Sequence, residues 1–288
     1  MPNTNASTSW RAKWFQANLQ ETLKNAVVAE KICDVDSSDS FYIWNPYGSA
    51  VNVTQQSISG GSQGTYSVST YTSTNDTLTV TDEFVVAEHI YDFEMAMQRG
   101  DLMQSRLDEM VAKVGQALDK FVLNVILTDG TGTYTTPAGG FTTAANIPVI
   151  MSNLLSKVAG YADTYKGLFL VIESTDVPGF IQSGAASGYS FADSVLKNGL
   201  MGSYMGVDIY VIRSGTFVTT TLGSTAVVGY GHRVFGVKGI CTYASPRKIG
   251  YEEKYVTATT GKEIVAFCYA GVKVWAAKAS LIVDITLA

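Results

Sequence analysis

The sequence predicts an α+β fold, and three observations carry that reading. A single amphipathic pattern runs through residues 101–127, long enough for a helix of about 40 Å. Short β-branched runs precede and follow it without the strand–helix–strand repeat of a parallel-sheet protein. Between Lys31 and Arg99 there is no lysine or arginine, and Thr, Ser, Gly, Asn, Gln and Tyr fill most of the gap. A polar, β-prone arm of that kind cannot bury much of its own surface and is suited to lying on something else.

The elements follow in order. Trp10, Trp14, Ala17, Leu19, Leu23, Ala26 and Val27 recur at helical spacing, with Ser9 as a candidate N-cap, so residues 10–31 read as a helix. The acid-rich run 34–39 ends it. That run tempts a calcium-loop reading, which fails: the sixth position is Asp39 where the loop needs Gly, and the twelfth is Asn45 where it needs a bidentate Glu. Residues 41–44 and 50–54 read as strands around Pro46 and Gly48; after the glycine-rich turn 60–64 come strands 65–70 and 77–86. Residues 41–86 therefore form a long β-ribbon, marginal alone in water and open to pairing with another chain. In the long helix Met103, Leu107, Met110, Val114, Leu118, Phe121 and Val125 make one seam, with Asp108, Lys113 and Lys120 turned away and Asp129-Gly130 as the stop. Residues 131–140 read as a turn region, and Asn146 and Pro148 open a second helix. Residues 167–172, 207–212, 226–230, 264–268, 272–275 and 281–285 read as further short strands.

Composition narrows the function classes. A 288-residue chain with 46% hydrophobic residues makes a globular core without staples. Charged residues are only 16%, against about 25% in a usual domain, which implies that partners cover part of the surface. The net charge of −5 argues against direct nucleic-acid binding. It is unevenly placed: residues 34–109 carry twelve acids against Arg99 and Arg106, a net −10, while residues 232–278 carry eight bases against three acids, a net +5. Two solvated faces would explain this, and so would complementarity between copies of the chain. Cys33, Cys241 and Cys268 lie far apart with no C-x-x-C spacing and read as small apolar core residues in a reducing compartment. No signal-peptide pattern or 18-residue apolar run occurs, so a cytosolic product is expected and the sequons at Asn5, Asn52 and Asn75 read as chance matches.

No residue set supports chemistry. His89 and His232 with three scattered cysteines give no metal cluster. Ser62 lies in a G-x-S-x-G match at 60–64, but that motif needs a strained strand-to-helix elbow, and here it falls between ribbon strands. Asp82, Glu83, Glu88, Asp92 and Glu94 read as a solvated or interface face rather than an acid/base pair. No phosphate-binding glycine motif is present. No catalytic, cofactor-binding or metal residue is assigned, and elimination leaves a structural or binding protein.

Three strings carry a resemblance: residues 80–94 leading into the 101–127 helix, residues 196–206 followed by the strand 207–212, and residues 266–274 with the closing strand 281–285. In this order they resemble the major capsid protein of tailed bacteriophages, a fold shared with herpesvirus capsid floors and encapsulins. The resemblance implies an N-arm at 1–36, an extended β-ribbon loop at 40–82, a peripheral domain at 83–135 and 228–288 with the spine helix at 101–127, and an axial domain at 136–227. It implies self-assembly into hexamers and pentamers of an icosahedral phage head enclosing double-stranded DNA without sequence-specific binding, in the virion, after assembly in the host cytoplasm. It also implies a portal, a separate scaffolding protein and decoration proteins as partners, and no cofactor. Some relatives lock their shells with isopeptide bonds from a lysine in the extended loop; residues 32–98 contain none, so a non-covalent shell is expected. Alternatives from other classes are an encapsulin-like compartment, a hydrolase using Ser62, and a tail-tube component.

Overall fold

The computed structural model describes residues 27–38, 40–44, 76–92, 102–161, 166–187, 200–215, 217, 231–246, 250–256 and 260–288. The helix expected at 10–31 up to residue 26, the ribbon strands 50–54 and 65–70 with the turn 60–64, and the strand 226–230 lie outside the described residues.

The chain begins with a short helix α1 (Ala29–Ile32), then β1 (Asp34–Asp36), β2 (Tyr42–Trp44), β3 (Thr77–Thr79) and β4 (Asp82–Tyr91). The long helix α2 (Leu102–Asp129) follows with 28 residues. Leu107, Met110, Val114, Leu118 and Phe121 of the expected seam are buried, while Asp108 and Lys113 are exposed. The buried face is wider than that seam: Val111, Val122, Leu123 and Ile126 are also enclosed, so the C-terminal half of α2 is packed nearly all round. A helix wrapped on several sides loses its clean apolar stripe, which is why periodicity located it but understated its burial.

After α2 come β5 (Gly132–Thr135), α3 (Asn146–Val158), β6 (Leu168–Glu173), α4 (Val177–Ser187), β7 (Leu200–Tyr204), β8 (Val207–Ile212), β9 (His232–Val237), β10 (Cys241–Ala244), β11 (Gly250–Val256), β12 (Gly261–Val274) and β13 (Ile282–Thr286). Six strands form one mixed sheet in the order β5-β13-β9-β6-β8-β7. A second sheet has the order β1-β10-β12-β11, with β4 also paired to β12. The β4–β12 ladder is antiparallel from Gly261 opposite Tyr91 to Ala270 opposite Asp82. The helix α2 packs across β12 and β4 and touches β9 and β13, so one beam supports both sheets.

Several expectations change. The turn region at 131–140 begins with β5, whose residues Gly132 to Thr135 pair in parallel with Val283 to Thr286; the strand hides in small polar residues. The two strands at 264–268 and 272–275 are one 14-residue strand, β12. Ala270-Gly271 looks like a break, but a Cβ on Gly271 would sit 3.0 Å from the Val80 backbone, so the glycine permits close chain approach within a continuous strand. The helix α4 has no counterpart in the sequence reading. Gly179 and Gly184 weaken its propensity, yet Gly179 is required: a Cβ there would fall 1.9 Å from the Phe141 carbonyl oxygen. The strands β9, β10 and β11 were likewise not anticipated.

Candidate assembly surface

The two strands that flank residues 45–75, the root of the expected ribbon, are firmly held. Strands β2 and β3 pair antiparallel, Tyr42 opposite Thr79 and Trp44 opposite Thr77. Leu78 is buried with Val80, Ala244 and Trp275, and Ile43 packs against that group. The Trp275 indole donates to Thr242 Oγ1 at 2.8 Å, which satisfies its one polar atom inside the cluster. Lys273 forms an ion pair with Asp76 and donates to the Thr77 carbonyl at 3.1 Å, tying β12 to the start of β3. Because side chains alternate, Tyr42 and Trp44 face away from this cluster; they are 66% and 70% exposed, and neighbouring Phe41 is also exposed. Tyr42 and Trp44 form an exposed aromatic pair of the kind that a partner covers, while Phe41, one position out of phase, meets the Tyr269 ring edge-on at 6.1 Å between centroids.

The second sheet continues this surface. In β4 Val85 is 51% exposed, whereas Phe84 turns inward and meets Phe121 of α2 edge-on at 5.4 Å between centroids. Arg106 bridges Glu88 of β4 and Glu109 of its own helix, Lys262 pairs with Glu253 at 2.5 Å, and the Tyr255 hydroxyl donates to Asp92 at 2.9 Å. These pairs are partly or wholly exposed and contribute little to stability, but they fix the charge pattern that a neighbour would meet.

The acidic residues singled out from the sequence do not converge. Asp82 and Glu83 are exposed, Glu88 is engaged by Arg106, and Asp92 accepts from Tyr255; Glu94 and Ser62 lie outside the described residues. Surface clefts of 210, 320, 350 and 420 Å³ are lined by, among others, Glu88 and Arg106, Lys120 and Arg213, Asp34 and Trp44, and Asp76 and Lys273. His89 stacks edge-on with Tyr91, and His232 Nδ1 lies 2.7 Å from Asp284. Among the described residues no group of three or more His, Cys, Asp or Glu could hold a metal. All three cysteines are buried.

Two buried polar arrangements were invisible in the sequence because their members are far apart. Arg233 Nε donates to Asp176 Oδ2 at 2.5 Å and its Nη2 to Glu173 Oε2 at 3.4 Å; the three side chains are 5%, 2% and 5% exposed. Glu173 Oε1 also accepts the N–H of Gly215 at 3.1 Å and of Phe217 at 3.4 Å. Every partner is structural, so this network locks β6, α4 and β9 together instead of presenting a reactive carboxylate. Asp119, buried within α2, accepts the N–H groups of Val28 at 3.1 Å and Ala29 at 2.9 Å, and so caps α1 from outside. Burial pushes its carboxyl up to about 6, against the pull of those two N–H groups and of Lys31. One signal existed: at helical spacing Asp119 shares a face with the apolar Val111, Val122 and Ile126.

No family model matches the chain, and no curated protein sequence does. Solved structures do. A protein of Mycobacterium phage Che8 aligns over 90% of both chains with TM-score 0.63 and 15% identity. The capsid of cyanophage P-SCSP1u aligns over 91% of this chain and 88% of that one, with TM-score 0.65 and 13% identity. A virus-like particle from Pyrococcus furiosus aligns over 96% and 99%, with TM-score 0.60 and 8% identity. Nearly complete alignment in both directions leaves one conclusion: the chain has the phage capsid fold.

Proposed function

We propose that this protein is the major capsid protein of a tailed phage, a structural subunit that assembles into hexamers and pentamers of an icosahedral head around double-stranded DNA. The observation that carries the reading is the end-to-end likeness to phage capsid subunits. The exposed aromatics at the ribbon root and the low charge content agree with a surface completed by other copies. In this reading residues 1–36 are the N-arm, 40–82 the extended loop, 83–135 with 228–288 the peripheral domain, and 136–227 the axial domain. The role is structural, without catalysis; a separate scaffolding protein and a portal are its partners in this reading, and decoration proteins are candidates for further ones. The virion is its place, after assembly in the host cytoplasm.

The shell is held non-covalently, because the stretch between Lys31 and Arg99 offers no lysine amine for cross-linking. Subunits that stay ladder-linked in hot detergent under reducing conditions would overturn that part. Electron microscopy of the purified protein, expressed with and without phage scaffolding protein, tests the main reading. Closed shells of uniform size are the expected result, whereas rods or an unassembling monomer under both conditions contradict it. A second reading, a compartment enclosing protein cargo, is favoured by the match to the Pyrococcus furiosus particle. Shells from infected cells that contain protein and no DNA would select it.

A further inference from the structure

Cys33 follows α1, and its own N–H closes that helix by donating to the Ala29 carbonyl at 3.0 Å. Its Sγ lies 2.7 Å from the Sγ of Cys241, 208 positions later in the chain. That is closer than two unbonded sulfur atoms ordinarily approach. The backbone explains the meeting. β1 and β10 pair in parallel with Asp34 opposite Thr242, so Cys33 and Cys241 sit opposite each other one position earlier. The Gly239 N–H donates to the Ile32 carbonyl at 2.9 Å, and Asp119 holds the N–H groups of Val28 and Ala29, so the chain is fixed on both sides of Cys33. The third cysteine behaves differently: Cys268 faces the Ser245 hydroxyl at 3.7 Å and the Tyr269 carbonyl.

We infer that Cys33 and Cys241 are the two halves of an intrachain disulfide that closes when the folded protein passes from a reducing to an oxidising medium. The oxidant is a small-molecule disulfide of the glutathione class. The thiolate of one cysteine attacks a sulfur of that disulfide, forming a mixed disulfide and expelling one small thiolate. The thiolate of the second cysteine then attacks the protein sulfur of the mixed disulfide, closing the Cys33–Cys241 bond and expelling the second small thiolate. Two protein thiols are oxidised, one small disulfide is reduced to two thiols, and the two protons pass to the released thiolates. Burial holds the Cys33 thiol well above its ordinary range, so exchange runs through transient opening of the α1–β1 corner and is slow. The bond would pin α1 and β1 to the second sheet and hold β1 on β10. It links a subunit only to itself and stands whether or not the shell reading does.

The test uses the full-length protein, reduced, then incubated with oxidised glutathione, denatured, blocked with iodoacetamide and mapped by mass spectrometry. The expected map contains a Cys33–Cys241 linked peptide and alkylated Cys268. A faster-migrating monomer band on a non-reducing gel should revert on reduction, persist in Cys268→Ser, and vanish in Cys33→Ser and Cys241→Ser. Alkylation or glutathione on all three cysteines, or a link through Cys268, overturns the inference. The wild-type map decides even where a serine variant fails to fold.

Discussion

The two larger sheets of this protein share one supporting helix, yet their strands are enclosed to different degrees. In the six-stranded sheet β6 and β9 each bury five of six residues, and the charges inside are closed on one another as Glu173, Asp176 and Arg233. In the five-stranded sheet β4 buries one of ten residues and β11 two of seven, with Val85 and Tyr255 in solvent, and the separate β2–β3 pair exposes Tyr42 and Trp44. Strands β6 and β9 are enclosed by the protein itself, whereas β4 and β11 leave much of their surface uncovered, as the proposed assembly requires.

Substitutions should separate the two regions by their effect on the isolated subunit. Arg233→Ala strands two buried carboxylates and should cost about 3–5 kcal/mol, read as a large drop in urea midpoint; a loss under about 1 kcal/mol would show that the six-stranded sheet is not closed by this network.

The joint between them comes next. The Asp119 carboxyl is raised from 3.8 to about 6 by burial, so the folded state keeps its proton over a range in which the unfolded chain has lost it. This group therefore favours the folded state most on the acid side, and that advantage is lost as pH rises from about 4 to 6, by about 2–3 kcal/mol. Stability of Asp119→Asn relative to wild type should rise through that window and level off above it. A difference constant from pH 4 to 7 would contradict the buried cap.

Arg106→Ala, on the half-exposed face of α2, should change subunit stability by less than about 1 kcal/mol. Smallest of all, Trp44→Asp should leave the subunit within about 0.5 kcal/mol of wild type while preventing particle formation; normal particles from this variant would remove the ribbon root from the contact surface.

What could be read from the chain follows the same division. Helix α2, the strand β8 and the start of α3 were legible because apolar residues recur there at a regular period, even where α2 is buried beyond that one seam. Strand β9 was not, since Arg233 and Gly236 interrupt it; the first is satisfied by acids 57 and 60 positions away, and the second lets Phe169 and Ile282 approach. Strand β11 hides behind Glu252, Glu253 and Lys254, and opens on Gly250, where a Cβ would strike the Phe267 ring. The candidate assembly surface was legible only in outline, from the missing lysines and arginines before Arg99, the low charge content and the acidic and basic halves of the chain. Its charge pairs, such as Lys273 with Asp76, join residues that no local pattern connects.

Hydrogen–deuterium exchange compared between unassembled subunit and assembled particle tests the central claim most directly. The account predicts that amides of β2, β4 and β11 gain strong protection on assembly, while those of β6, β8 and β9 are already protected and change little. Unchanged exchange in β2, β4 and β11, or protection gained equally in both sheets, would contradict it.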